Sequence, residues 1–337
     1  MSRALRVPRF ARFAWALLAY DVAVVLWGAY VRASGSGAGC GQHWPLCNGE
    51  VLPRSPRVAT LVELSHRVTS GLALVLTLVL LVWALRAYPR GHVVRRGAAV
   101  TTCLMMGEAL IGAGLVLFRL VAHDESLARG LSICLHLCNT FLLLASTALT
   151  AWWASGGARL RLRGQRTVAW AVGVPLVALV LVGASGAVTA LGDTLFPPAS
   201  LAAGLAQDLA PRAHLFVRLR TLHPLLAVSA SAAVIFAGGV VRALRPSRTV
   251  VVLSRVASVV VVAQVGAGLL DVTTLAPVWL QLVHLLLADG VWIATVLTAA
   301  AALGAAAPSP DATPAASPYR RPVATAGSST AGTPRGS

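Results

Sequence analysis

Four histidines, one acid and one pair of cysteines carry most of the chemistry this sequence can offer. His66, His136, His223 and His284 each fall about four to seven residues inside an apolar run, and the four runs are alternate ones along the chain. Imidazole is costly in hydrocarbon and marks a functional position there, although a lone one serves equally well as a packing group bonded to a neighbouring helix. Four at one depth weaken the packing reading. Two imidazoles from facing helices of a four-helix bundle are a recurrent way to hold heme iron, with the macrocycle filling the bundle core. One pair per bundle gives two sites, His66 with His136 and His223 with His284.

Glu63 precedes His66 by three residues in "LVELSHR", so both project from one helix face. A carboxylate near a helix start also answers the helix dipole without any chemistry. The second half has no acid at the matching place: "RTLHP" puts Arg220 three before His223. Arg67, Arg218 and Arg220 could pair with heme propionates or simply sit at the membrane interface. Cys40 and Cys47 stand in "SGAGCGQHWPLCNGE", a loop whose six intervening residues permit a disulfide, structural or redox-active. Cys103 reads as small apolar packing. Cys134 and Cys138 straddle His136 and favour packing over chemistry. Asp21, Glu108, Asp271 and Asp289 lie within or beside apolar runs, where each could relay protons or bond a neighbouring helix. His43, His92, His123 and His214 fall in loops or just ahead of a run, and any part for His214 stays open.

These groups need elements to hold them, and composition says which. Of 337 residues 57% are hydrophobic and only 12% charged, whereas charged residues make up about a quarter of an ordinary soluble domain. Apolar runs recur at roughly 13–31, 62–85, 97–118, 130–153, 167–190, 219–241, 250–271 and 279–303, each near the ~20 residues that cross a bilayer as a helix. The net charge of +17 comes from 28 basic residues, all arginine. They cluster between the runs, so they report topology and not a nucleic-acid surface. Nineteen of them gather on one side, including Arg3, Arg6, Arg9 and Arg12, then Arg320, Arg321 and Arg335. The positive-inside rule makes that side the cytoplasm, puts both termini there and turns the Cys40–Cys47 loop outward. The first run ends without a cleavage site and is expected to stay as a membrane anchor.

The halves echo each other. "IGAGLV" from Ile111 returns as "VGAGLL" from Val265, and "HLCNTFLLLASTALTAWWA" from His136 as "HLLLADGVWIATVLTAAAA" from His284. With four spans per unit, both units enter from the same side. The expected fold is an all-α integral membrane protein: eight transmembrane helices as two tandem four-helix bundles related by a pseudo-two-fold axis along the membrane normal. The division falls at 1–155 and 156–304, followed by a Pro-, Ala-, Ser- and Thr-rich cytoplasmic tail, 305–337, expected to be disordered. The loop after span five holds a candidate amphipathic surface helix near 199–209.

"YVRASGSGAGCGQHWPLCNGE", "LVELSHRVTSG", a histidine opening span four, "RLRTLHPLLA" and "QLVHLLLADGVWIA" occur in this order, and together they resemble the heme A synthase family over about residues 13 to 303. The resemblance implies an oxidoreductase that converts a pyrrole methyl group of heme O to a formyl group through a hydroxylated intermediate. It implies that heme O reacts in the N-terminal bundle beside His66, His136 and a catalytic Glu63, while His223 and His284 hold heme b in the C-terminal bundle. It gives Cys40 and Cys47 a redox or substrate-transfer role, as a reducible clasp over the heme O site. The second cysteine pair found after span five in some members is absent here. Implied partners are a heme O synthase, a heme A-containing cytochrome oxidase downstream, an electron acceptor of unspecified kind, the lipid bilayer of a bacterial-type inner membrane and, as an option, a second copy of the chain. Nucleic acid is not among them. The main alternative is a diheme b-type electron-transfer cytochrome, which has no use for Glu63 or the cysteine loop. A thiol oxidoreductase would leave the four histidines unexplained, and a transporter would want broken helices around a polar midplane.

Overall fold

Each apolar run becomes helical, and from the second run on the helical stretch starts one to four residues ahead of it. The computed structural model describes residues 3–304. Its helices in chain order are α1 (Arg3–Ala33), α2 (Val58–Ala87), α3 (Val93–Leu117), α4 (Leu127–Ala154), α5 (Arg166–Leu195), α6 (Leu201–Asp208), α7 (Leu215–Arg220), α8 (Leu222–Leu244), α9 (Arg248–Thr273) and α10 (Val278–Gly304). Eight stretches among the described residues are long and apolar enough to cross a membrane, with α7 and α8 together forming the sixth, 215–244. The chain is an all-helical, eight-span, multi-pass membrane protein. The tail 305–337, with Arg320, Arg321 and Arg335, lies outside the described residues.

Local chemistry sets the boundaries. Ser126, Ser200 and Ser247 each accept a backbone N–H three residues on, starting α4, α6 and α9. His92 and His214 cap α3 and α7 in the same way, from two residues on. Burial, with Arg159 nearby, holds the His92 imidazole below the usual histidine range. The surface helix expected near 199–209 is α6. The sixth span is not one straight helix: it breaks at Thr221, between α7 and α8. Pro224 explains the position, since a proline ring clashes with the carbonyl four residues back, here Arg220, and is tolerated only in a helix's first turn.

Helices α1 to α4 contact one another in a ring, α1 against α2 and α4, α3 against α2 and α4; α5, α8, α9 and α10 form a second ring. The rings join along α4 and α10, with α1 and α5 beside them, in one compact unit. Accordingly α10 buries 61% of its most apolar stretch and α4 44%, against 17–28% for the other six spans. The outer helices instead turn Val75, Val79, Phe236, Val259 and Val262 outward, as a lipid-facing surface requires. At the seam Phe141 stacks on Trp292, with centroids 4.9 Å apart, and the Trp292 indole N–H donates to the Phe141 carbonyl at 2.6 Å. Small residues such as Ala148, Ala230, Ala257 and Ala294 fill the surrounding core, which suits a bilayer, where close backbone approach replaces hydrophobic driving force. Arg32 of α1 crosses to the Ala190 carbonyl and Thr194 of α5 and to Gln281 of α10.

Candidate functional site

The four histidines each lie near the start of a membrane-spanning stretch. His66 follows Val58, His136 follows Leu127, His223 follows Leu215 and His284 follows Val278. That spacing is six to nine residues, about one turn deeper than the apolar runs alone indicate for His66, His136 and His223 and one residue deeper for His284. Three of the rings lie against bare backbone. A Cβ on Gly28 would come 2.9 Å from His66 Cε1, one on Gly268 2.9 Å from His284 Cε1, and one on Gly186 3.0 Å from His223 Cε1. Glycine there lets an imidazole approach the neighbouring helix. Gly28 and Gly186 precede their histidines by nearly equal intervals in the two halves, a signal present in the sequence but invisible until the helices are paired.

His223 and His284 face each other with ring centroids 6.5 Å apart and planes 80° apart. Two imidazoles that bind one metal from opposite sides through bonds of about 2 Å put their centroids about 6 Å apart, so this pair fits a six-coordinate iron between them. Ser185 Oγ lies 2.9 Å from His223 Nδ1, and the Gln264 amide nitrogen lies 3.1 Å from His284 Nε2. Both partners are neutral. Among the described residues no three His, Cys, Asp or Glu side chains gather as they would around a bare metal ion, whereas a heme needs only axial ligands.

The first ring is charged where the second is neutral. His66 and His136 are close enough to interact electrostatically. His136 Nδ1 lies 2.5 Å from Glu108 Oε2 of α3, within ion-pair distance although the ring N–H is not squarely aimed. His136 is enclosed by the protein, yet 34% of its side-chain surface stays accessible; it lines the inside of the ring instead of packing into it. The Nδ1 of His66 is buried without a partner, and Trp27 beside Gly28 donates to Ser65 Oγ at 3.1 Å, fixing α1 on α2. Deeper in the membrane, both carboxylate oxygens of Asp21 and of Asp289 are buried without partners.

Glu63 is buried, 4% exposed. Because α2 starts at Val58, Glu63 lies beyond the first turn, and the dipole explanation for it loses force. Its Oε2 accepts from the Cys40 backbone N–H at 2.8 Å, and its Oε1 accepts from Arg67 Nε at 3.1 Å and Nη2 at 2.5 Å. Arg67 also donates to the His43 and Leu46 carbonyls. Cys40 and Cys47 form a disulfide and are fully buried, at 0% and 1%. The Thr60 hydroxyl and the Asn48 amide both donate to the Gly39 carbonyl, and a side chain on Gly39 would run into the Ala59–Thr60 backbone. The loop is therefore seated on the start of α2, with the Glu63–Arg67 pair as its anchor.

Several sequence expectations change here. Arg67 is engaged by Glu63 and the loop, and Arg220 by Asp193 at 2.8 Å and by Asp208, so neither is a free cation. Arg218 is exposed and makes no side-chain hydrogen bond among the described residues. Cys103 is exposed on α3 and is not core packing, while Cys134 and Cys138 are unpaired and half-buried. His214 caps α7 and packs against Phe196 and Phe216. Gln264, Ser185, Asn139 and the three glycines escaped the sequence reading altogether.

Fold and site together define an eight-span helical membrane protein with four intramembrane histidines, two in each ring, of which His223 and His284 face each other. The family model described as cytochrome oxidase assembly protein matches residues 11–296, and the chain belongs to that family. It is 53% identical over 295 residues to a Thermus thermophilus protein named protoheme IX farnesyltransferase, covering 88% of this chain and 48% of that one. It is 40% identical over 147 residues to heme A synthase of Symbiobacterium thermophilum, covering 44% of this chain and 45% of the relative. Over 95 residues it is 40% identical to heme A synthase of Alkalihalophilus pseudofirmus, 28% of this chain and 32% of the relative. The chain thus spans about half or less of the length of the curated relatives it matches.

Proposed function

We propose that the protein is a heme A synthase, which oxidises a pyrrole methyl group of heme O to a formyl group by way of the alcohol. On this reading α1–α4, within residues 1–155, take heme O between His66 and His136. The second ring, within 156–304, holds heme b between His223 and His284. The observation that carries the reading is the pairing itself: two pairs of intramembrane histidines, one pair at the separation a six-coordinate iron needs, and acids beside only the other. The relatives named heme A synthase support it. So does the Thermus protein, whose longer chain carries a name for attaching farnesyl to protoheme, the step that would supply the substrate. A heme O synthase is accordingly the partner upstream, and a heme A-containing oxidase the consumer downstream. The arginine distribution supports a disulfide loop on the outer face and both termini in the cytoplasm of a bacterial-type cell membrane.

Heme b, when bound, supplies a one-electron relay for electrons leaving the substrate. The rest falls to side chains. Each stage of methyl oxidation removes two electrons and two protons, and in the first a water molecule supplies the oxygen by adding to the positive charge that develops on the carbon next to the ring. Glu63 already accepts three donors, so its part would be that of a fixed negative charge that stabilises developing positive charge on the substrate, not of a free base. Arg67 holds that charge in place and ties it to the loop. The disulfide is buried, and Arg67 holds its loop over this end of the ring. Arg218, exposed at the same end of the second ring, is free to meet a propionate.

The test is pigment extraction from full-length protein purified from cells that also make heme O. Heme B together with heme O, its alcohol or heme A, with the oxidised products lost in Glu63→Ala, supports the synthase. Two equivalents of heme B and nothing else mean an electron-transfer cytochrome and overturn it.

A further inference from the structure

The two histidine pairs differ in one respect that bears on the direction of electron flow. Glu108 stands 2.5 Å from His136 Nδ1, and its other oxygen accepts from the Asn139 amide at 2.8 Å. Asn139 lies three residues after His136 on α4 and donates also to the Leu104 carbonyl of α3 at 2.9 Å. Nor can Asn139 swing away toward α3, because it rests against Gly107, where a Cβ would come 2.9 Å from its side-chain oxygen. Helix α3 therefore presents a carboxylate to the imidazole with both oxygens engaged. In the other ring the neighbours of His223 and His284 are a hydroxyl and an amide.

A carboxylate on the non-ligating nitrogen of a histidine fixes its tautomer and raises its basicity as a ligand, and this stabilises the more oxidised metal. A neutral amide or hydroxyl does so much less. Resting on the reading that His136 ligates the substrate heme, we infer that Glu108 is a positioning residue for His136. It holds the midpoint potential of the heme in the first ring below that of the heme in the second. Electrons removed from the substrate side then run downhill to the other side. The histidine pairs alone would give no such bias, since both sites offer two imidazoles. The asymmetry comes from one carboxylate on α3 beside His136, where α9 offers His284 only the neutral Gln264.

The experiment is spectroelectrochemical titration of the full-length protein carrying both hemes, alongside Glu108→Gln and Gln264→Glu. Glu108→Gln keeps the shape and removes the charge. It should raise the first-ring midpoint at least tenfold in reduction equilibrium constant, 59 mV for one electron, with the second unmoved. Gln264→Glu should lower the second by a comparable amount and leave the first. Either shift appearing in the wrong heme, or normal heme content with neither potential moved, overturns the inference. Should Glu108→Gln lose its heme, Gln264→Glu still decides, because it leaves the first ring intact. His136→Ala separates the two levels: unchanged heme content there refutes the ligand assignment itself, whatever the potentials do.

Discussion

The histidines of the first four-helix ring have charged neighbours and those of the second have neutral ones, although Asp289 lies buried in the second ring without a hydrogen-bond partner. Around His66 and His136 stand Glu63 with Arg67 and Glu108 with Asn139; around His223 and His284 stand Ser185 and Gln264. The second half does hold Asp193, Asp208 and Arg220, but as an ion-paired group joining α5, α6 and α7 at the loop end of the molecule. A buried ion pair rarely adds net stability over well-packed apolar groups, and an ionisable group in hydrocarbon is costlier still. A carboxylate set against a histidine in one ring, where the other ring sets a hydroxyl and an amide, therefore points to chemistry in the first and passive holding of a group in the second.

The contrast can be broken most directly at the ligands. His223→Ala or His284→Ala should empty the second ring and leave the first loaded, a loss of one heme per chain read by pigment extraction and difference spectra. Loss of both hemes from either variant would mean that the rings are not independent sites. Next comes Glu63→Gln, which keeps the side-chain shape and removes the charge. Product formation should fall about 10²–10³-fold, as for loss of one preorganised electrostatic group, with heme content retained. A fall of the same size in Asp208→Asn would erase the distinction between a charged catalytic ring and a charged surface group.

The glycine contacts give a smaller and more selective effect. Gly28→Ala and Gly186→Ala each place a methyl about 3 Å from an imidazole, an overpacking that costs about 1–3 kcal/mol. The first should weaken heme retention in the first ring only and the second in the second ring only, measured by transfer to apomyoglobin. Gly266→Ala meets nothing within 4 Å and should behave like the unaltered chain; a loss there equal to that in Gly186→Ala would refute the contact argument. Smallest is Trp292→Phe, which removes the indole donation to the Phe141 carbonyl. It should destabilise the seam by about 1 kcal/mol, seen in thermal unfolding in detergent, with both hemes retained because the seam belongs to neither site.

Much of this was legible beforehand, for a physical reason. The bilayer imposes a span length, so eight apolar runs announce eight helices, and α6 shows itself by a serine cap and a short run. The cysteine pair was visible, but not that Glu63 accepts from Cys40's own backbone. The bend in the sixth span was also written in the sequence, at Pro224, though the reading of 219–241 as one helix passed over it. Glu108 and Asp21 stood out as acids in hydrocarbon, yet their spacing does not tell that one meets a histidine and the other meets no hydrogen-bond partner.

What the sequence determined by itself is the number of crossings, the shared depth of His66, His136, His223 and His284, and the acid three residues before one of them. These follow from distances along single helices, which 1.5 Å per residue fixes. Only the tertiary structure decided that Glu108 meets His136 while Gln264 meets His284, that Gly28, Gly186 and Gly268 make room for three of the rings, and that α4 and α10 form the seam. Those outcomes depend on how far each helix is rotated about its own axis. That rotation is set by packing against neighbours far away in the chain, which no spacing within one helix records.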